Sequence, residues 1–253
     1  MQLNFHCQGT GFPLIILHGL FGSLDNWQSV ARELAQRFQV FILDLRNHGA
    51  SPHSDEFTLE LMSGDLLEFM DRQNLPTAHL LGHSLGGKVA MLFALTHPSR
   101  VARLVVADIS PRAYAPRHET VFAALAALDL SHFRSRTEVV NELANTIPDL
   151  ATRRFLGKGL SQDATGCLSW KMNLSSLGRN RSQVDVALDP ALRFQGVTTF
   201  LRGGLSDYIG RQDEPLINCM FPRSSLKTLD GAGHWIHAEK PKEFVKLVIE
   251  ALS

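Results

Sequence analysis

Three cysteines in 253 residues, Cys7, Cys167 and Cys219, are too few and too scattered for a disulfide framework or a thiolate metal site. They predict core residues in a reducing compartment. Charge excess is also missing: 25 basic residues face 25 acidic ones, and no basic stripe interleaves with aromatics. A nucleic-acid partner is therefore not expected. No apolar run approaches the length of a membrane span, and no basic start followed by an apolar run opens the chain. These two absences predict a cytoplasmic protein with no membrane partner. The eleven histidines include no His-x-His and no close cluster with acids, and His234-x-x-His237 alone is poor evidence for a metal. Neither a phosphate loop nor a dinucleotide fingerprint is present, so no metal and no cofactor is implied. Repeats and low-complexity tracts are absent too.

What is there is a rhythm of short apolar runs: Leu14–Leu17, Val40–Leu43, His79–Leu81, Leu104–Ala107 and Thr198–Leu201. Unbroken runs of this length predict strands covered on both faces, as in a parallel sheet. Helical patterns alternate with them. Apolar residues at 27, 30, 31 and 34 make one face, and Thr58 is a cap for a stripe at 59, 62, 66, 69 and 70. This alternation predicts a doubly wound α/β sheet. With 44% hydrophobic residues, one large core is available.

The rhythm breaks after Pro111. Residues 112–190 read as helix-rich, clearest over Val121–Leu130 and Thr137–Ile147, with no strong strand run. So long a stretch between two core strands predicts structure of its own. We expect a core domain of residues 1–111 and 191–253 and a helical cap of 112–190. Apolar cap residues such as Phe122, Leu125, Leu128, Phe133, Phe155 and Trp170 would divide between the cap's own core and a substrate pocket.

One motif carries chemistry. Gly82-His83-Ser84-Leu85-Gly86-Gly87 stands between an apolar strand and a helix-like run, so Gly-x-Ser-x-Gly falls on a sharp turn. Such a turn exposes the Ser84 hydroxyl and aims the Leu85 N–H at an oxyanion formed beside it. A serine hydroxyl needs a histidine to take its proton and a carboxylate to hold that histidine. His234, in a glycine-containing loop after the strand Ser225–Leu229, is the candidate base, whereas His237 reads as structural. Two acids satisfy the chain order. Asp108 ends the strand after the serine helix, and Asp207 follows the next strand; the residues alone leave both open. The second oxyanion donor is expected from the loop His18-Gly19-Leu20-Phe21-Gly22, as the Leu20 N–H. His18 and Arg46-Asn47-His48-Gly49 read as loop supports. Phe21 and Trp235, beside these loops, are candidate substrate contacts.

These residues resemble the α/β-hydrolase superfamily over essentially the whole chain. More narrowly, His18-Gly19-Leu20-Phe21-Gly22-Ser23, Arg46-Asn47-His48-Gly49, Gly87-Lys88, Asp108-Ile109-Ser110-Pro111 and Gly233-His234-Trp235-Ile236-His237-Ala238-Glu239-Lys240-Pro241 resemble small bacterial esterases of the YbfF type. The resemblance implies an α/β-hydrolase fold, a mostly parallel sheet flanked by helices, with a helical cap inserted between strands six and seven. It implies a carboxylesterase acting on short to medium acyl esters without a cofactor, its partner a small-molecule ester. It also favours Asp108 as the acid, because that branch keeps this aspartate, while the wider superfamily places its acid where Asp207 stands. Thioester hydrolysis, carbon–carbon hydrolysis, perhydrolysis or a ligand receptor on the same scaffold remain alternatives. Acyl-chain length and oligomeric state are not legible in the residues.

Overall fold

The computed structural model describes every residue except Pro116. A short edge strand, β1 (Phe5–Gln8), turns into β2 (Phe12–Leu17); α1 (Gln28–Leu34), β3 (Phe38–Leu43), α2 (Leu59–Arg72), β4 (Ala78–His83), α3 (Leu85–Thr96) and β5 (Val101–Ala107) follow. The chain then runs through α4 (Glu119–Ala127), α5 (Arg136–Glu142), α6 (Leu150–Lys158), β6 (Leu160–Gln162), β7 (Leu168–Trp170) and α7 (Leu174–Arg179). It returns as β8 (Val197–Gly203), α8 (Glu214–Met220), β9 (Ser224–Leu229), α9 (Ile236–Glu239) and α10 (Pro241–Leu252). Among the described residues, no helix is long and apolar enough to cross a membrane.

The main sheet has the order β1-β3-β2-β4-β5-β8-β9. Only β1 is antiparallel to its neighbour; the other pairs run parallel. Alternate residues face two cores. Ile15, Leu17, Leu80, Leu104 and Val106 pack with α2, α3 and the segment between β5 and β8. Leu14, Ile16, Leu81, Val105 and Leu201 pack with α1 and α10. Apolar residues therefore occupy both faces, which is why the strands read as unbroken runs.

Register decides where the loops meet. Leu17 pairs with Gly82, Gly82 with Val106, His83 with Ala107, and Ala107 with Leu201, so the carboxyl ends of β2, β4, β5 and β8 stand level. The chain reverses direction across the sheet between β2 and β4, the crevice where open α/β sheets hold their sites.

Several expectations change. The three cysteines are all exposed and free rather than in the core. Cys7 lies on the edge strand, Cys167 in the β6–β7 connection and Cys219 near the end of α8, places that lack a covering layer. In this seven-stranded sheet the long insert lies between the fifth and sixth strands in chain order, β5 and β8. That insert is not purely helical: β6 and β7 form a two-stranded antiparallel hairpin, each three residues long and too short to register as an apolar run. Of the apolar insert residues named above, Phe122 and Leu125 are buried, and Leu128, Phe133, Phe155 and Trp170 pack on the same core.

Candidate active site

Ser84 occupies the N-cap of α3 with φ 50° and ψ −118°, a left-handed conformation that side chains other than glycine's rarely adopt. Holding it costs about 1–3 kcal/mol, supplied by the surrounding packing. The flanking glycines make the turn feasible. A Cβ on Gly82 would lie 2.2 Å from the Gly86 carbonyl oxygen, and one on Gly86 would lie 2.3 Å from the Leu17 carbonyl oxygen. Strand and helix therefore approach with no room for a methyl group.

The loop after β2 comes equally close. A Cβ on Gly19 would lie 3.2 Å from the Ser84 Cβ, so the chain at Gly19-Leu20 runs against the serine. Its shape is fixed from beneath. His18 Nδ1 donates to the Gly19 carbonyl (2.8 Å), and its Nε2 accepts from the Leu45 N–H (3.0 Å). Burial lowers the His18 pKa to about 4, so the ring is neutral and both nitrogens are used. Arg46, the next residue, is locked to Asp65 by two hydrogen bonds of 2.6 and 2.8 Å. These contacts match the supporting role read for both segments. Among the described residues, the Leu20 and Leu85 N–H groups have no protein acceptor, and both residues line the same cavity as Ser84.

His234 and Asp108 meet. His234 Nδ1 lies 2.7 Å from Asp108 Oδ2, leaving Nε2 as the unengaged ring nitrogen. Asp108 follows β5 with φ 52°, and its side chain is fully buried. The Gly203 N–H donates to its Oδ1 (2.9 Å), and the Ser206 hydroxyl donates to Oδ2. Burial raises its pKa against these donors. Burial also lowers that of His234, with His118 and Arg117 adding to the fall and Asp207 opposing it.

Asp207 is elsewhere. Its carboxylate is 77% exposed and pairs with Arg117 at 2.6 Å, which holds its pKa below the ordinary carboxylate value. The structure therefore brings Asp108, and not Asp207, into contact with His234.

Several contributors have no role assigned from the sequence alone. His83 Nε2 donates to the His234 carbonyl (2.9 Å), tying the residue before the serine to the base. The Tyr208 ring stacks on His234 at 3.8 Å and 14°. Glu239 accepts from the Gly233 and Trp235 N–H groups at 2.7 and 3.0 Å and so shapes the loop around His234. Its spacing of four residues from Trp235, at the start of a helix, was the one readable hint. His237 stacks flat on Trp27 at 4.2 Å and is structural, as expected.

The cavity beside Ser84 leaves about 30 Å³ for the centres of water-sized molecules and is walled by Leu20, Leu85, Ile109, Tyr114, Val184 and Tyr208, among others. Phe21 and Trp235 are not among its lining residues. Phe21 packs on Phe122 at 4.8 Å, and Trp235 stacks on Phe155 at 3.8 Å.

Comparison with known proteins identifies the fold family. The family model described as alpha/beta hydrolase fold matches residues 13–241. Esterase YbfF of Escherichia coli is 30% identical, with 98% of each chain covered. The sn-1-specific diacylglycerol lipase ABHD11 of Mus musculus is 37% identical over 95% of this chain and 80% of the relative. A solved marine microorganism esterase superposes with a TM-score of 0.95 at 42% identity, covering 98% of both chains. By sequence and by fold, then, the chain belongs to the alpha/beta hydrolase family.

Proposed function

We propose that the protein hydrolyses carboxylic esters of short acyl groups through Ser84, His234 and Asp108. The observation that carries this reading is the hydrogen bond from His234 to Asp108 at the sheet edge where Ser84 stands on its strained turn. The names of the relatives, esterase and lipase, point the same way. Ser84 Oγ attacks the acyl carbonyl while His234 Nε2 takes its proton. The carbonyl oxygen becomes an oxyanion held by the Leu20 and Leu85 N–H groups. Asp108 stabilises the imidazolium, which then gives its proton to the departing alcohol. Water attacks the acyl-enzyme along the same route, returning the serine hydroxyl and releasing the acid.

Residues 112–190 act as a cap that sets acyl length. The cavity beside Ser84 leaves only about 30 Å³ for the centres of water-sized molecules, a constriction that favours small acyl groups over fatty chains. Esters of p-nitrophenol from acetate to octanoate, with the matching thioesters, test this on purified protein. We expect steady multiple turnover of acetate and butyrate and a fall in kcat/KM of about tenfold or more by octanoate. A burst without turnover points to a receptor instead, and octanoate preferred over acetate overturns the short-acyl assignment.

The pH profile follows from the base. His234 must be neutral to accept the Ser84 proton, and burial lowers its pKa, so the neutral form persists below the ordinary histidine value. Activity falls only as pH drops through this lowered pKa. The acid limb of kcat/KM is therefore expected below the ordinary histidine value of 6.5, with a plateau through neutral pH. A midpoint above that value would show that the Asp108 charge outweighs burial.

A further inference from the structure

Lys88 lies one helical turn after Ser84 on α3, is buried, and lines the same cavity. A lysine so placed needs a reason, because an ammonium taken out of water must find acceptors for its protons. Its Nζ donates to the Pro111 carbonyl (3.2 Å), the Val186 carbonyl (2.7 Å) and the Arg112 carbonyl. Pro111 and Arg112 are where the chain leaves the sheet for the insert; Val186 is where it returns. The two crossings also pair with each other. The Leu188 N–H donates to the Pro111 carbonyl (2.9 Å), and the Tyr114 N–H donates to the Asp185 carbonyl (2.8 Å).

From this stalk a hydrogen-bonded path reaches the base. The Tyr114 hydroxyl accepts from the Ser110 N–H (2.8 Å) and donates to the Tyr208 carbonyl (2.6 Å), and the Tyr208 ring stacks on His234. Arg112 lies 3.9 Å over the Tyr114 ring and pairs with the buried Asp213 at 2.8 Å, bracing the stalk from the other side.

We propose that Lys88 is a positioning residue for the ester reaction: its ammonium staples both crossings of the insert to the serine helix and thereby fixes the acyl cavity. The three acceptors are main-chain carbonyls, so side-chain identity in the stalk matters less than the donor count at position 88. The proposal rests on the esterase reading above, and its test separates the two.

Lys88→Met keeps the stem and removes all three donors, leaving the Arg112 and Val186 carbonyls without their Nζ partner. We expect KM for p-nitrophenyl acetate to rise about tenfold with kcat within about threefold of the parent. The preference for acetate over octanoate should shrink by about tenfold, because the cavity wall is released. Hydrogen exchange should show the Leu188 and Tyr114 amides losing protection ahead of the sheet. Val248→Ala, on α10 in the core it shares with α1, serves as a variant of reduced stability remote from the stalk, and its selectivity should match the parent. Should Lys88→Met fail to fold, Tyr114→Phe breaks the path at its hydroxyl and should show the same KM and selectivity changes. Unchanged selectivity in a folded Lys88→Met protein, or in Tyr114→Phe where the first variant does not fold, overturns the proposal. So does a selectivity change equal to that of Val248→Ala. Absence of ester turnover in the parent protein sinks the esterase reading instead, while the exchange experiment still decides whether Lys88 holds the stalk.

Discussion

Replacing Ser84 with alanine should lower ester turnover by about 10⁶, the loss typical when a triad nucleophile is removed. The fold should survive, and even gain stability. Alanine is no better suited than serine to the left-handed φ of 50°, but it leaves no hydroxyl to satisfy at a site 7% exposed. A fluorophosphonate probe should label the parent at Ser84 alone, read by mass spectrometry, and leave the alanine variant unlabelled. Labelling at another serine, or an alanine variant that still turns over esters, would remove Ser84 from the chemistry.

The second large effect separates the two aspartates. Asp108→Asn is expected to cost about 10⁴ in turnover, because an amide in place of the carboxylate no longer fixes the His234 tautomer or stabilises its charge. The Gly203 N–H still reaches the amide oxygen, and the Ser206 hydroxyl can turn to accept from the amide NH2, so the loss should fall on catalysis more than on folding. Asp207→Asn should stay within about fivefold of the parent, since an exposed ion pair contributes little. Steady-state rates of the two variants decide the matter. A crippled Asp207→Asn beside a healthy Asp108→Asn would assign the acid to the loop after β8, against the contact seen here.

The sheet and the serine turn were legible because their causes are local. Leu14–Leu17 and Leu104–Ala107 are apolar at every position because both faces are covered, and Gly82 and Gly86 flank Ser84 because no methyl group fits. The edge strand Phe5–Gln8 escaped notice since four largely exposed residues with mixed polarity leave no pattern. The acid was ambiguous for a different reason. Asp108 and Asp207 both follow a strand in the right order, and the two differ only in what reaches them: the Gly203 N–H, Ser206 and His234 converge on one, and Arg117 holds the other out in solvent. Lys88 entered the resemblance only within Gly87-Lys88, and its role was hidden for the same kind of reason. A lysine on a helix reads as a solvated face, and only the meeting of Pro111, Arg112 and Val186 around its Nζ shows otherwise.

Ser84 and Asp108 share one backbone trait, a positive φ at the end of adjacent parallel strands, with values of 50° and 52°. Glycine adopts that conformation freely, so a sequence selected for robustness alone would carry glycine at both positions. Keeping a hydroxyl and a carboxylate there sets folding against activity at two neighbouring points. Screens for heat tolerance in this scaffold will accordingly enrich inactive variants at residues 84 and 108 unless turnover is selected at the same time. Thermostabilising changes that retain activity are to be sought away from the carboxyl edge of the sheet, on the α1 and α10 side.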